Sequence, residues 1–396
     1  MKLYSHLTLY VSCLCIVAGC SQREDSSGSG PAERPLSFVE EVVIKEGELV
    51  SGEFLSLPSS AGKAWIRTDR EGHIYLPDRS SVTVRVFDAE GNFLHNIGKK
   101  GNGPREFSRI GAIDIFQDEL IVYDGGNRRI VRFSTDGDFL GIHIPDGKAE
   151  LYPETIHQLE EERYLFLRKL PDIEGNIDEG ISSLSLYRSA FFHLYSPNHS
   201  YPRFSFGHID SLMDAGSDFT QHYISHVNTG RVWIDDRKNV WFVPGIYDGR
   251  LFKFREQKGK DGWVLAETRK GYVLPQESID LNARGEGTMQ IVVYAPNFEV
   301  YSGKIQSQSL GIFTLKDGRL VHISSQLDGG ERRTFVEVFN SGGELVELGR
   351  LTEFTFSGNE QKIGIRPFWK DREDRFYFIK GRRDSLVLIG GRIHGL

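Results

Sequence analysis

One eight-residue unit occurs twice at a fixed offset, and it decides what this chain can fold into. Phe87-Asp88-Ala89-Glu90-Gly91-Asn92-Phe93-Leu94 aligns with Phe133-Ser134-Thr135-Asp136-Gly137-Asp138-Phe139-Leu140, 46 residues further on. Val338-Phe339-Asn340-Ser341-Gly342-Gly343-Glu344-Leu345 is a looser third copy. In each, an alternating run such as Val82–Phe87 or Arg129–Phe133 ends at an aromatic. A polar turn with Gly follows, and then a second run, which is the pattern of a β-hairpin. Matching hairpins lie at 69–78, 113–124 and 234–243. A full copy therefore holds four strands joined as a meander, and such units bury their faces only by stacking on one another.

The copies predict an all-β fold, a six-bladed β-propeller of four-stranded antiparallel blades. The blades fall near 62–97, 107–144, 152–207, 228–273, 307–352 and 362–393, with insertions in the third around 171–188 and 198–227. A seventh blade hidden in the insertions is the competing count. The run Phe38–Ile44 has no blade of its own and is expected to supply the outer strand of the last one. That closes the ring and hides sheet edges that would otherwise pair with other chains. An aromatic share of 12%, with 26 Phe and 15 Tyr, suits strands.

The N-terminus reads differently. Lys2 precedes an apolar run from Leu7 to Ala18 that is too short to span a bilayer and has the layout of a signal peptide. Its end, Val17-Ala18-Gly19-Cys20, resembles the lipobox of bacterial lipoproteins, which implies cleavage before Cys20 and lipidation of that thiol. The polar stretch behind it cannot bury enough surface to fold and reads as a tether. The expected organisation is a signal peptide over 1–19, a flexible tether over 20–37 and the propeller over 38–396. Cys13, Cys15 and Cys20 are the only cysteines, so the body holds no disulfide. The implied address is the outer membrane, through the lipid anchor. Glu24-Asp25 either marks export to the cell surface or is a solvated spacer on the periplasmic face.

From Gly98 to Gly137 the chain resembles the NHL repeat, and more closely the six-bladed β-propeller lipoproteins of Gram-negative bacteria. Gly98, Gly101, Gly103-Pro104, Glu106-Phe107, Ile113-Asp114, Leu120-Ile121-Val122, Asp124, Asn127, Arg129-Ile130, Phe133 and Asp136-Gly137 carry the resemblance. Related six-bladed proteins include metal-dependent lactonases and lyases as well as binding modules, so the likeness implies a fold rather than an activity.

Site residues follow from where blade connections gather. The glycine-rich link Lys99–Phe107 lacks the Gly-Lys-Ser/Thr ending of a phosphate loop and is expected to join two blades, anchored by Phe107. Such links share a face with the second-to-third strand turns. Arg79, Lys99, Lys100, Arg105, Arg109 and Arg128 would then form a cationic mouth for an anionic ligand such as an acidic glycan, or else scatter as solvated charge. Asp78, Asp124 and Asp248 occupy equivalent turns, as Asx caps or as calcium ligands. His193, His199, His208, His222 and His226 cluster in sequence without a zinc-site spacing, and His157, His226 and His322 are lone candidates near inner strands. Trp233, Trp241 and Phe242 could stack on a sugar or pack in the core. A net charge of −7 argues against a nucleic-acid partner. No Gly-x-Ser-x-Gly elbow or body cysteine offers a nucleophile. The expectation is a binding or scaffold module without catalytic residues or cofactor, recognising a carbohydrate, a peptide or an envelope protein. The alternative is a metal-dependent lyase or lactonase with one Ca or Zn in the channel.

Overall fold

The repeated unit is a hairpin with a glycine bulge. In the computed structural model, Gly91, Gly137 and Gly343 have φ of 90°, 94° and 92°, a region that side chains with a Cβ rarely enter. Three residues earlier, a polar side chain accepts the backbone N–H four residues on. Asn92 donates to Asp88 at 2.8 Å, Asp138 to Ser134 at 3.0 Å and Glu344 to Asn340 at 3.0 Å. The ladder slips by one residue at Phe87, Phe133 and Phe339, as a bulge requires. In the first two copies the aromatics flanking the turn then meet edge-on, Phe87 with Phe93 and Phe133 with Phe139.

A second repeated device sits at the hairpins between the first and second strands of a blade. Asp69, Asp235 and Asp371 each accept the backbone N–H groups two and four residues on. Each also accepts from the aromatic six residues on: Tyr75 OH at 3.0 Å, Trp241 Nε1 at 3.1 Å and Tyr377 OH at 3.1 Å. The carboxylate fixes the turn and satisfies the one polar atom of a buried ring.

The structure describes residues 31–57, 66–144, 153–160, 162–168, 190–196, 204–213, 217–257, 262–275, 278–282, 289–293, 299–356, 368–381 and 385–396. The signal peptide, Cys20 and the insertion at 171–188 lie outside them. The fold is all-β. Four four-stranded meanders span Arg67–Ile97, Ile110–His143, Thr155–His208 and Gly230–Lys270. A fifth runs over Ser307–Phe356, and a sixth over Trp369–His394 takes its fourth strand from the N-terminus. That strand, Glu33–Lys45, runs antiparallel to Leu386–His394 from Ser37 opposite His394 to Lys45 opposite Val387. Its first residues, Glu33–Leu36, pair in parallel with Leu348–Leu351 of the fifth sheet and so join two blades. It starts inside the segment assigned to the tether, because Leu36 is buried against this seam rather than solvated.

Two further departures are local. Residues 204–227, read as insertion, give the outer strand Phe204–His208, two short helices, Ile209–Leu212 and Asp218–His222, and a π-helical turn, Tyr223–Val227. Between the fourth and fifth blades, Ile279–Asp280, Met289–Val293 and Glu299–Ile305 form a three-stranded sheet. It is an insertion, not a seventh blade, since it lacks the four-stranded order.

The first strands of the sheets meet on a common axis. Arg67 Nε of blade one lies 3.0 Å from Asp114 Oδ1 of blade two, and Gln158 N–H of blade three donates to Asp114 Oδ2 at 3.0 Å. The Arg67 guanidinium also stacks on Trp369 of blade six at 4.3 Å.

Val42 is 2% exposed, between the closing strand and the Gly91 turn. Val42→Asp would bury an unpaired carboxylate there, a change expected to remove about 3 kcal/mol or more. A thermal melt should fall by several degrees with cooperativity retained. An unchanged melt would mean the strand does not close the ring.

Candidate functional site at the two mouths of the channel

Strand Ile110–Phe116 runs from one mouth of the central channel to the other. Its Ile110-Gly111 end lines a cavity of about 620 Å³, and Ile115 lines a second of about 510 Å³. Asp114 lies between, held by Arg67.

The first cavity is walled by the second-to-third strand turns of blades one and two, the end of the link entering blade two, and blade three. Its charged lining is Arg79, Arg109 and Arg168, with Ser108, Tyr123 and Gly125 beside them. Arg79 and Arg109 are exposed, and Arg168 is half-buried. Partial burial, and then the like charge of Arg109, lower the Arg79 guanidinium from its usual value. Two of the six predicted cations are thus brought together, joined by Arg168, which the sequence did not single out. The described lining does not include Lys99, Lys100, Arg105 or Arg128. Lys99 pairs with Glu106 at 3.4 Å, Lys100 and Arg128 are exposed, and the Arg105 guanidinium lies 6.0 Å from the Phe139 ring. The link that carries three of them is a built connection. Phe107 is fully buried against the Phe133 ring, and Arg129 Nη2 donates to Gly103 O at 2.7 Å and Glu106 O at 2.8 Å.

The three aspartates are turn caps and do not converge. Asp78 accepts from Ser80 N–H and from Arg85 Nε and Nη2. Asp124 accepts from Ser108 N–H, Arg109 N–H, Asn127 Nδ2 and Arg129 Nε. Asp248, which is exposed, accepts from Arg250 N–H and its side chain. Each carboxylate is neutralised by an arginine in its own blade, so its oxygens are not a ligand set. Among the described residues no group of three or more His, Cys, Asp or Glu could hold a metal ion.

The histidines divide similarly. Burial lowers the His157 and His193 imidazoles to about 4. His157 packs 3.7 Å from Asp114, and His193 bonds Ser205 Oγ and Arg168 O. His222 stacks on Tyr301 with centroids 4.3 Å apart, and the His226 side chain lies outside the description. His322 has a notable setting. Its Nε2 lies 3.0 Å from Ser309 Oγ and its Nδ1 3.0 Å from Glu337 Oε1, the order of a nucleophilic triad. All three side chains are fully buried, and Glu337 Oε2 accepts from Tyr247 OH at 2.7 Å and Tyr272 N–H at 2.8 Å. The network ties blade four to blade five, and neither of the two cavities has any of the three in its described lining.

The second cavity opens on the first-to-second strand turns of blades one, two, four, five and six. Trp233 and Trp369 line it, with ring centroids 5.4 Å apart and planes at 53°. Trp241, the other tryptophan singled out in blade four, is buried, as is Phe242.

If the aspartates cap turns, a chelator should leave the melting temperature of the body unchanged. Asp124→Ala, which strands the Arg129 guanidinium, should lower stability by about 3 kcal/mol or more. A chelator-induced drop would return these carboxylates to metal binding.

No curated protein matches the chain. Residues 67–177 match the family model described as a 6-bladed beta-propeller. The chain is similar to the solved structure of a member of the DUF4221 family from Bacteroides vulgatus, at 9% identity over 92% of this chain and 100% of that one, with a TM-score of 0.52. Weaker likenesses are to a Bacteroides fragilis protein described as exported (11% identity, 90% and 97% covered, TM-score 0.47) and to another described as a 6-phosphogluconolactonase (13%, 87% and 88%, 0.36). At 9% identity the first of these likenesses speaks for the fold alone. The match over blades one and two, and the six four-stranded sheets that continue it to His394, identify the fold as a six-bladed β-propeller.

Proposed function

We propose that this propeller is a binding module of the cell envelope that recognises an acidic glycan at its arginine-lined mouth, held to the outer membrane by lipid on Cys20. The observation that supports the reading is the convergence of Arg79, Arg109 and Arg168, from three consecutive blades, on one cavity of about 620 Å³. Guanidinium groups grip carboxylates through paired N–H donors. Rigid strands carry the turns that present these groups, so little ordering is required on binding. A cavity of this size holds one or two sugar rings. The lipobox-like Val17-Ala18-Gly19-Cys20 supports the anchor, and the polar stretch behind it supports reach away from the bilayer.

Titration calorimetry with oligogalacturonate tests the site. Arg79→Ser combined with Arg109→Ser should weaken binding about tenfold or more. Wild-type affinity should also fall with rising salt. The melting temperature of the double variant should stay near wild type, since both side chains are exposed. Equal affinity in the double variant overturns the placement. Cys20→Ser should move the protein from the membrane to the soluble fraction, and retention there would overturn the anchor.

A further inference from the structure

We infer that the opposite mouth is a second binding site, which takes a neutral pyranose ring against Trp233 and Trp369. Both indole N–H groups are engaged by neighbouring threonines. Trp233 Nε1 donates to Thr314 Oγ1 at 2.8 Å and Trp369 Nε1 to Thr68 Oγ1 at 3.2 Å. Buried cations also hold the rings, Arg67 at 4.3 Å from the Trp369 centroid and Lys370 Nζ at 5.5 Å from that of Trp233. With their N–H groups occupied, the rings have only carbon surface left to offer the cavity. At 5.4 Å apart and tilted by 53°, they form a V-shaped apolar wall in a cavity of about 510 Å³.

The rim is chemically mixed. Arg70 and Lys316 bring donors, Asp236 brings acceptors and Gln117 brings both, from blades one, five, four and two, and all four side chains are exposed. The arginine-lined mouth, by contrast, has no acid in its described lining. A pyranose has a face of C–H groups and an edge of hydroxyls that both donate and accept. It matches an aromatic wall with a rim of both signs, and it brings no charge to upset that balance. The site stands apart from the arginine-lined mouth, because Asp114 and Arg67 lie between them on the axis.

Tryptophan emission reads this site. The full chain has five tryptophans, and Trp241 and Trp263 are buried away from both cavities. Titration with xylohexaose, mannohexaose and cellohexaose to about 10 mM should shift the emission in a saturable way with at least one of them. Arg70→Ala with Asp236→Ala, both on the exposed rim, should weaken that binding about tenfold. Trp369→Phe should reduce the signal. Arg79→Ser with Arg109→Ser should leave the titration unchanged, so failure here and failure of the acidic-glycan site are distinguishable. No shift with any sugar overturns the inference, as does a titration unaffected by the rim substitutions. A shift produced by an oligoproline peptide and by none of the sugars assigns the pocket to peptides and overturns it equally.

Discussion

The ion pair between Arg67 and Asp114 sits where the inner strands converge, and the rest of the ring is arranged around it. Both side chains are buried, so neither charge could remain without the other. Asp114 takes the guanidinium on one oxygen and the Gln158 N–H on the other, and the far face of Arg67 is covered by Trp369. One pair thereby fixes the relative positions of four blades. Along strand Ile110–Phe116, Asp114 lies between the residues that line the two cavities.

The repeat was legible because its physics is local. A glycine at positive φ, a polar side chain reaching four residues forward and a pair of aromatics are all visible in ten consecutive residues. The blade boundaries and the closing strand followed from counting such units. The sheet at 279–305 left no such trace, because its strands carry no copy of the motif and one of them, Ile279–Asp280, is only two residues long. The helical segment at 218–227 was missed for a related reason, since two five-residue pieces are too short for the spacing of Phe219, Tyr223 and Ile224 to establish a helical period.

The candidate sites were legible only in part. Arg79 and Arg109 were found because turn position predicts face, and a shared face brought them to one cavity. Lys99, Lys100, Arg105 and Arg128 follow the same face rule but are not in the described lining of that cavity, and contacts such as Lys99 with Glu106 and Arg105 with the Phe139 ring are not encoded by spacing. Arg168 and Trp369 lie in blades three and six, which carry no clear copy of the eight-residue unit, so no equivalent position pointed to them. The recurring role of Asp69, Asp235 and Asp371 was hidden because it rests on a side-chain contact with an aromatic six residues on, Tyr75, Trp241 or Tyr377, across a hairpin whose register has to be known first.

The closing strand also sets an order of events. Ser37 finds its partner at His394, a contact spanning nearly the whole body, and such distant pairings form late and slowly. Until they form, Leu345–Phe356 and Leu386–His394 are open edges, each able to accept a strand from a second molecule. The strand made first is therefore the one that finishes the fold. A molecule caught before that step is, in kinetic terms, a template for its own aggregation. Swift delivery of the C-terminal strand to its partner would then bear on yield more than any gain in the stability of a single blade.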